Sequence, residues 1–440
     1  MGAEAVDAEE LARADDEFMD DVRLNQARVL AGEGSPKILV GSINGTDGPN
    51  WHTIHMIRMG ASLVSISTNP GHYLRPDRLY CAADEFMPKA MTRLPKKWKP
   101  DFYWDAQAER GHYLPAGLGD LDIPTVVSFN HAHFGAALIH MQGMYDCIIS
   151  PSAFMAKWGD VVQPWGLSWG TMEERIRMGG LSYKGAPKGV TVSCTIGHAG
   201  MSKESVRHAV ISEMKAIQAR RPEWNVVIAT GMSQEEYFAL LAASKVSINV
   251  GTWGSPMTYR PLEIIAQEAA LVHVDETMHG TTAKLSEVFN PGWFVEATPE
   301  TLEASIEKAL TLNLWRSKWI EEEVWKAYSY EAVYGKLFKL AGSVQKKPKL
   351  STRDWSRHAF AVNALTGFAS IAPHHAGALT LEDKTSALMY LDRPWDVCLW
   401  MPKDPEARIA WDTDIARAEE PVRDIYKRYA GQEVYEVVSK

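Results

Sequence analysis

The chain has 440 residues, more than one hydrophobic core usually serves, so two domains with an appendage are expected. Its 46 basic and 55 acidic residues give a net charge of −9, which argues against a dedicated nucleic-acid-binding protein, because such proteins usually carry a basic excess. The four cysteines stand far apart without a CxxC pair, so neither a zinc cluster nor a disulfide framework is indicated.

The N-terminal segment, residues 1–34, has the pattern of an acidic helix that ends at Gly32. It lacks a basic region followed by an apolar one, so we expect no signal peptide. The chain also lacks a run of about 18 apolar residues, which predicts a protein without a membrane span. These features favour a cytoplasmic location.

Short apolar runs alternate with helical patterns between residues 35 and 342. Such runs are typical of parallel strands buried on both faces, and the alternation is typical of doubly wound α/β domains. Strands are predicted at 37–41, 61–66, 99–105, 124–129, 146–150, 189–193, 224–229, 246–250, 270–274 and 292–295. Helices are predicted at 52–59, 203–221, 234–244, 298–312 and 321–340.

The alternation breaks near the Pro-Trp-Gly sequence at 164–166. This break predicts one α/β domain over residues 35–165 and a second over residues 166–342. A polar, basic break follows, and residues 343–440 form an extension that is helical in parts. The sequence of this extension indicates no role.

The stretch from Ser244 to Val274 is the most informative part of the chain. It contains a strand, a Gly/Ser/Pro-rich loop, a helix that opens at Tyr259, and a second strand. The free N–H groups and the positive dipole at a helix start suit the phosphates of a nucleotide. Arg260 adds a cation, and Glu263 lies one helical turn later, where it can accept hydrogen bonds from ribose hydroxyls. The alternative is an exposed ion pair of little energetic value.

This Arg-x-x-Glu helix, preceded by a Ser-x-Asn strand, resembles the nucleotide-sugar half of GT-B glycosyltransferases. The spore-maturation-like or glycosyltransferase family 1/4-like type is the most similar, and the resemblance runs from about residue 37 to about residue 342. It implies two Rossmann-like doubly wound domains that face each other across a cleft, plus the helical extension. The first domain would bind the acceptor and the second the nucleotide sugar.

The resemblance also implies an activity. A hexosyl group would move from a nucleoside diphosphate sugar, with a UDP-sugar such as UDP-glucose favoured, to an acceptor hydroxyl in the cleft. The sugar nucleotide would be a co-substrate, with no tightly bound cofactor and no metal requirement.

Other donor-binding candidates are small residues in loops that follow strands of the second domain. Glycine allows a backbone to approach a phosphate closely. These candidates are Gly197, Gly200, Gly231, Thr252, Gly254 and Ser255, with Tyr259 at the helix start. For the loop 252–258 the alternative is a simple surface turn.

In the first domain, Gly45 and Gly48 lie in a glycine-rich loop that would touch the donor phosphate or the acceptor. A base that deprotonates the acceptor requires a positioned imidazole or carboxylate. The candidates are Asp47, Asp105, His131 and His133. A turn-forming role is an alternative for Asp47, and a metal pair or ordinary polar residues are alternatives for the two histidines.

Asp120-Leu-Asp122 matches the DxD motif with which GT-A enzymes hold a metal-bound diphosphate. Here the motif precedes a predicted strand instead of following one. We therefore expect it to belong to a loop and not to a metal site.

The sequence leaves the acceptor open among a glycan, a protein and a small molecule. A phage-type variant that glycosylates hydroxymethylated pyrimidines in DNA is the runner-up, because some DNA glucosyltransferases resemble this chain in the GT-B architecture and the Arg-x-x-Glu nucleotide site. Two basic runs, 89–99 and 346–357, include Trp98 and Trp355 and could hold a phosphodiester backbone. Solvated linkers are the alternative for both runs. From a different class, UDP-sugar 2-epimerases share the fold, and a non-catalytic sugar-nucleotide-binding protein also fits.

Overall fold

A computed structural model describes residues 8–41, 51–67, 75–81, 85–105, 117–128, 144–150, 161–162, 185–196, 206–251, 259–278, 281–282 and 284–348. The chain divides into two compact units, and each of them is built on a parallel sheet. The predicted pair of Rossmann-like α/β domains is confirmed. The helical extension predicted for residues 343–440 lies outside the described residues from position 349 onward.

Within its described residues, the first part of the chain supplies the seven-stranded sheet and three helices. The helices are α1 (Ala8–Ala31), α2 (Trp51–Arg58) and α3 (Met87–Met91). The strands are β1 (Lys37–Val40), β2 (Ser62–Ser67), β3 (Arg78–Tyr80), β4 (Phe102–Asp105), β5 (Thr125–Ser128), β6 (Cys147–Ser150) and β7 (Val161–Val162).

In this first sheet the strand order is β3-β2-β1-β4-β5-β6-β7, and every pair is parallel. The chain adds β2 and β3 on one side of β1 and then reverses to add β4 on the other side. The switch point therefore lies between β1 and β4, which is where open α/β sheets bind ligands. The strands are short and apolar as predicted, and Ile38, Leu39 and Val40 are fully buried.

Helix α1 is attached to the first sheet through a buried asparagine. The Asn25 side chain donates to the Leu63 carbonyl at 2.9 Å and accepts from the Leu63 N–H at 2.8 Å. It thus satisfies both backbone polar groups of a residue in β2, which would be costly to leave unpaired in a buried strand. Arg28 of the same helix donates to the carbonyls of Ile57 and Ala61 at 2.6 and 3.2 Å.

The second part of the chain supplies a five-stranded sheet and six helices among the described residues. The helices are α4 (Val206–Arg220), α5 (Gln234–Ala243), α6 (Tyr259–Ala266), α7 (Leu302–Thr311), α8 (Lys318–Tyr328) and α9 (Tyr330–Ser343). The strands are β8 (Val190–Cys194), β9 (Val226–Ile228), β10 (Ser244–Val250), β11 (Ala270–Val274) and β14 (Phe294–Ala297), with the small hairpin β12 (Thr277–Met278) and β13 (Thr281–Thr282) between β11 and β14.

The second sheet has the order β14-β11-β10-β8-β9 and is also parallel throughout. Its switch point lies between β8 and β10. Apolar side chains of the central strands and of α4 and α7 form one core, which includes Val192, Val210, Ile248, Val272 and Ile306. Every strand points its carboxyl end to the same edge, so loops that follow the strands meet there.

One predicted helix was wrong. Residues 321–340 do not form a single helix, because α8 ends at Tyr328 and α9 begins at Tyr330. Ser329 between them has the extended backbone angles φ −55° and ψ 157°. Its hydroxyl accepts from the Ala332 N–H at 3.2 Å, as an N-cap side chain does, so the serine starts a new helix instead of continuing the old one.

After α9 the chain is bound to the first domain. The Lys347 N–H donates to Asp146 Oδ1 at 2.7 Å, and the Lys347 ammonium donates to the Tyr145 carbonyl at 3.0 Å. Lys346 donates to the Ile123 carbonyl at 3.1 Å. The compact unit around the first sheet therefore includes the described residues within 20–151, 155–165 and 334–348. Among the described helices, none has the length and apolar character needed to cross a bilayer.

Candidate functional site

The carboxyl edge of the second sheet gathers polar side chains at its switch point. Strand β8 ends at Cys194 and strand β10 ends at Val250, and these two strands are adjacent. Helix α4 follows β8 along the chain, and helix α6 follows β10. The first residues of both helices are therefore expected near the same point of the sheet, where nucleotide phosphates bind in doubly wound folds.

Arg207, the second residue of α4, lies at this switch point. Its Nη2 donates to the carbonyl of Gly251, the residue after β10, at 3.4 Å. Burial lowers the pKa of Arg207, the negative charge of Glu276 opposes that shift, and the positive charge of Arg260 lowers the pKa again. The two guanidinium groups are thus close enough to repel each other, and an anion bound between them would replace this repulsion with attraction.

Arg260 and Glu263 lie on α6 as predicted, and Tyr237 of α5 contacts both of them. The Tyr237 hydroxyl donates to Glu263 Oε2 at 2.9 Å. The Arg260 guanidinium lies over the Tyr237 ring, 5.6 Å from its centroid, which is a cation–π distance. Glu263 is only 7% exposed, so the alternative of an exposed ion pair does not describe this carboxylate.

The local sequence explains how the start of α5 is formed and how Tyr237 is placed. Helix α5 begins with a capping box in which the Ser233 hydroxyl accepts from the Glu236 N–H at 3.1 Å, and the Glu236 carboxylate accepts from the Ser233 N–H at 2.8 Å. Gly231, just before this cap, has φ +71°, a left-handed conformation that glycine adopts without strain. Gly231 therefore serves the turn that leads from β9 into α5, and α5 places Tyr237.

A row of buried polar side chains lies beneath Gly251. Asn249 and His273 face each other across β10 and β11, with 2.9 Å between Asn249 Nδ2 and His273 Nδ1. His273 Nε2 lies 3.1 Å from Asp275 Oδ1, and Asp275 Oδ1 accepts from the Leu285 N–H at 2.9 Å. A Cβ on Gly251 would lie 3.8 Å from His273 Nε2 and 3.2 Å from the Glu276 nitrogen. The end of β10 thus lies against a row of polar side chains that are held by hydrogen bonds.

The switch point of the first sheet holds Asp105, the last residue of β4. The Tyr145 hydroxyl donates to Asp105 Oδ2 at 3.0 Å, and Asp105 is 1% exposed. Burial, followed by the charge of Asp105, raises the pKa of Tyr145 well above its usual value, so this phenol remains a donor. Gly41, the residue after β1, lies against the same group, because a Cβ there would come within 2.6 Å of Tyr103 Oη and 3.4 Å of Asp105 Cγ.

The structure therefore brings several predicted residues to the carboxyl edges of the two sheets. Arg260, Glu263 and Tyr259 lie at the start of α6, Gly231 lies after β9, and Asp105 lies at the end of β4. The other candidates fall outside the described residues: Gly45, Asp47, Gly48, His131, His133, Gly197, Gly200, Thr252, Gly254 and Ser255.

We call Arg207, Tyr237, Arg260, Glu263 and Glu276 the donor-side group, because they lie where the sequence analysis expects the sugar-nucleotide donor. Three of these residues, Arg207, Tyr237 and Glu276, were missed by the sequence analysis. They come from α4, from α5 and from the loop after β11, so no fixed spacing connects them with Arg260 or Glu263. A general signal was available for Arg207, because an arginine in the first turn of the helix after the first strand of a doubly wound domain lies near the switch point.

Two motifs lie away from these edges. Asp120 ends a short 3₁₀ helix before β5, at the amino edge of the first sheet, which agrees with a loop role for the Asp120–Asp122 motif. Trp98 is 2% exposed, and its Nε1 donates to Ser62 Oγ at 2.8 Å, so it presents no ring face for stacking. Within the described residues, no group of three or more His, Cys, Asp or Glu side chains could hold a metal ion.

No protein-family model matches the chain, and no curated protein matches it in sequence. Among solved structures it is similar to a glycosyltransferase involved in avilamycin A biosynthesis, with a TM-score of 0.42 and 12% identity over 71% of this chain and 99% of that chain. It is similar to a sucrose-phosphate synthase from Thermosynechococcus elongatus, with a TM-score of 0.39 and 12% identity over 70% of this chain and 100% of that chain.

A third similar structure is an alpha-glucosyltransferase in complex with UDP-glucose and DNA containing an abasic site. Its TM-score is 0.38, with 12% identity over 69% of this chain and 98% of that chain. Similarity at this level establishes no shared activity.

Proposed function

We propose that the protein is a GT-B-type glycosyltransferase that moves a sugar from a nucleoside diphosphate sugar to an acceptor hydroxyl. The observation that carries this proposal is the grouping of Arg207, Arg260 and Glu263 at the switch point of the second sheet. Two guanidinium groups suit a diphosphate, and a carboxylate beside them suits a ribose. A UDP-sugar is the favoured donor.

In this proposal the arginines act on the leaving group. When the bond between the anomeric carbon and the diphosphate breaks, negative charge grows on the diphosphate oxygens. Arg207 and Arg260 would stabilise that charge. The row of polar side chains beneath Gly251 would hold the site in place before the reaction begins.

We further propose that the first domain binds the acceptor. The base would be one of Asp105, His131, His133 and Asp47, and Asp105 is supported by its place at the switch point of the first sheet. Its hydrogen bond from Tyr145 fixes one carboxylate oxygen. In this role the Asp105 carboxylate would accept the proton of the acceptor hydroxyl.

The described parts of the two basic runs lend no support to the DNA-modifying alternative, and Trp355 with the rest of the second run lies outside the described residues. Lys346 and Lys347 bind carbonyls and a carboxylate of the first domain, Arg93 donates to Glu85 and the Tyr80 carbonyl, and the side chain of Trp98 is buried. We propose a glycan, a protein or a small molecule as the acceptor, which fits the net charge of −9, and keep modified DNA as the runner-up.

The proposal is tested first by thermal unfolding with UDP-, GDP-, ADP- and TDP-sugars, each with and without a divalent cation. A ligand at about 100 times its Kd adds about 2.7 kcal/mol of stability, which is an easily visible shift. We expect one nucleotide class to stabilise the protein without metal. Absence of any shift would refute the donor site. If a sugar nucleotide binds but is neither transferred nor hydrolysed, the protein is a sugar-nucleotide-binding protein and not a transferase.

A second arm separates the transferase from a 2-epimerase. The stabilising sugar nucleotide is incubated with the protein in the absence of an acceptor, and the sugar is analysed by NMR. A transferase should leave the sugar configuration intact and release nucleoside diphosphate slowly by hydrolysis. Conversion to the 2-epimer without an acceptor would exclude the proposed reaction.

A further inference from the structure

The orientation of the Glu263 carboxylate is set from a second helix. Tyr237 of α5 donates its hydroxyl hydrogen to Glu263 Oε2 at 2.9 Å, and Arg260 lies over the Tyr237 ring at 5.6 Å. Burial, followed by the charge of Glu263, raises the pKa of Tyr237, so its hydroxyl keeps the proton and remains a donor. With one oxygen tied in this way, the carboxylate cannot rotate freely to follow a ligand.

A carboxylate held at a fixed angle suits a vicinal diol. The 2′ and 3′ hydroxyls of a ribose can each donate one hydrogen bond to a carboxylate, whereas a 2′-deoxyribose has only the 3′ hydroxyl to offer. A buried site built around a substrate hydroxyl rejects the analogue that lacks it, because a polar group of the protein then loses its partner. Glu263 is 7% exposed, so solvent compensates little for the lost hydrogen bond.

We propose that Tyr237 is a positioning residue that makes this site selective for ribonucleoside diphosphates over 2′-deoxyribonucleoside diphosphates. This inference rests on the proposed function and narrows it. The donors would be UDP-, GDP- or ADP-sugars, and sugars activated with deoxythymidine diphosphate would be poor donors.

The experiment is calorimetric titration of the full chain with matched nucleotide pairs: UDP and 2′-deoxy-UDP, GDP and 2′-deoxy-GDP, ADP and 2′-deoxy-ADP. In the wild-type protein the ribonucleotide should bind about tenfold or more tightly than its deoxy partner, which is the size expected for one lost hydrogen bond to a charged group. Equal affinities within a pair would overturn the inference while leaving the donor site intact. If no nucleotide binds, the proposed function fails and this inference fails with it.

The variant Tyr237→Phe tests the role of the hydroxyl. Without its tether the carboxylate can turn to accept from the 3′ hydroxyl alone, so the preference for the ribonucleotide should fall to about threefold or less. A purely structural tie between α5 and α6 would weaken both nucleotides equally and leave their ratio unchanged, and that result would refute the positioning role.

Two further variants keep the test decisive. Tyr328→Phe is the matched control, because Tyr328 donates to the Val288 carbonyl in the same domain and lies on α8, outside the donor-side group; its nucleotide ratio should equal that of the wild type. Glu263→Gln replaces one acceptor oxygen with an amide donor and should also lose the preference. This variant replaces Tyr237→Phe in the test if Tyr237→Phe does not fold. If Glu263→Gln keeps the wild-type ratio of ribonucleotide to deoxyribonucleotide affinity, the proposal is overturned.

Discussion

Arg207 and Gly251 are joined by a 3.4 Å hydrogen bond from guanidinium to carbonyl, which ties the first turn of α4 to the end of β10. This contact fixes a cation at the switch point of the second sheet. A guanidinium group in this position suits a phosphate, because its planar fork of N–H donors matches phosphate oxygens.

Removing either arginine should weaken diphosphate binding selectively. Arg207→Ala and Arg260→Ala should each cost about 1.5–3 kcal/mol in UDP affinity, the size of a hydrogen bond to a charged group. The affinity for uridine, which has no phosphate, should change little. Titration calorimetry with UDP and uridine measures both effects. Arg220→Ala is the matched control, because Arg220 lies on the same helix and pairs with Glu213 and Glu303 on the surface. Wild-type UDP affinity in both test variants would contradict the assignment.

Asp105 can be tested through the slow hydrolysis of the sugar nucleotide. If Asp105 is the base, Asp105→Asn should lower kcat by about 100-fold or more, the range of general-base catalysis, while the Kd for UDP stays the same. Tyr145→Phe should lower kcat less, because it removes only the hydrogen bond that orients the carboxylate. An unchanged kcat in a folded Asp105→Asn protein would transfer the role to His131, His133 or Asp47.

The contact between Gly41 and Tyr103 predicts that Gly41→Ala destabilises the fold and that Tyr103→Phe restores part of the lost stability. Gly41→Ala would place a methyl group 2.6 Å from Tyr103 Oη, and such overpacking costs about 1–3 kcal/mol. The double variant with Tyr103→Phe removes that oxygen and leaves the ring carbon at 3.3 Å as the nearest atom. Thermal unfolding should therefore show a lower Tm for Gly41→Ala and a partial recovery in the double variant. A double variant less stable than Gly41→Ala would exclude this clash.

Lys188 predicts a pH dependence of stability. Its ammonium donates to the carbonyls of Ala242 and Gln267 at 2.7 and 3.0 Å, and burial lowers its pKa from 10.5 to about 8. Because the folded pKa lies below the unfolded value, the folded state binds fewer protons between pH 8 and pH 10.5, and stability rises with pH in that window. The Tm advantage of the wild type over Lys188→Met should therefore increase between pH 7.5 and pH 10, by roughly one to a few degrees. A constant difference would contradict the lowered pKa.

Strands were easier to predict than the site. The runs that form β1, β10 and β11 consist of buried apolar and β-branched residues, and their sequence alone indicates short parallel strands. Arg260 and Glu263 could be predicted together because they lie one turn apart on α6.

The rest of the donor-side group could not be predicted from sequence. Arg207 and Tyr237 stand 53 and 23 residues before Arg260 in the chain, and only the pairing of β8 with β10 and the packing of α5 beside α6 bring them together. The burial of Trp98 and the hydrogen bond from Lys347 to the Tyr145 carbonyl could not be predicted either. A basic run with a tryptophan has the same composition whether the ring is buried or exposed.

The return of the chain to the first domain after α9 has a practical consequence for dissecting the protein. A fragment that stops before residue 334 lacks the segment that satisfies Asp146 and the carbonyls of Ile123 and Tyr145. A single cut therefore cannot release an intact first domain. A rearranged gene that places the segment beginning at residue 334 ahead of residue 20 would return the contacts of Lys346 and Lys347 to the first sheet, and it is the natural design for expressing the two sheets separately.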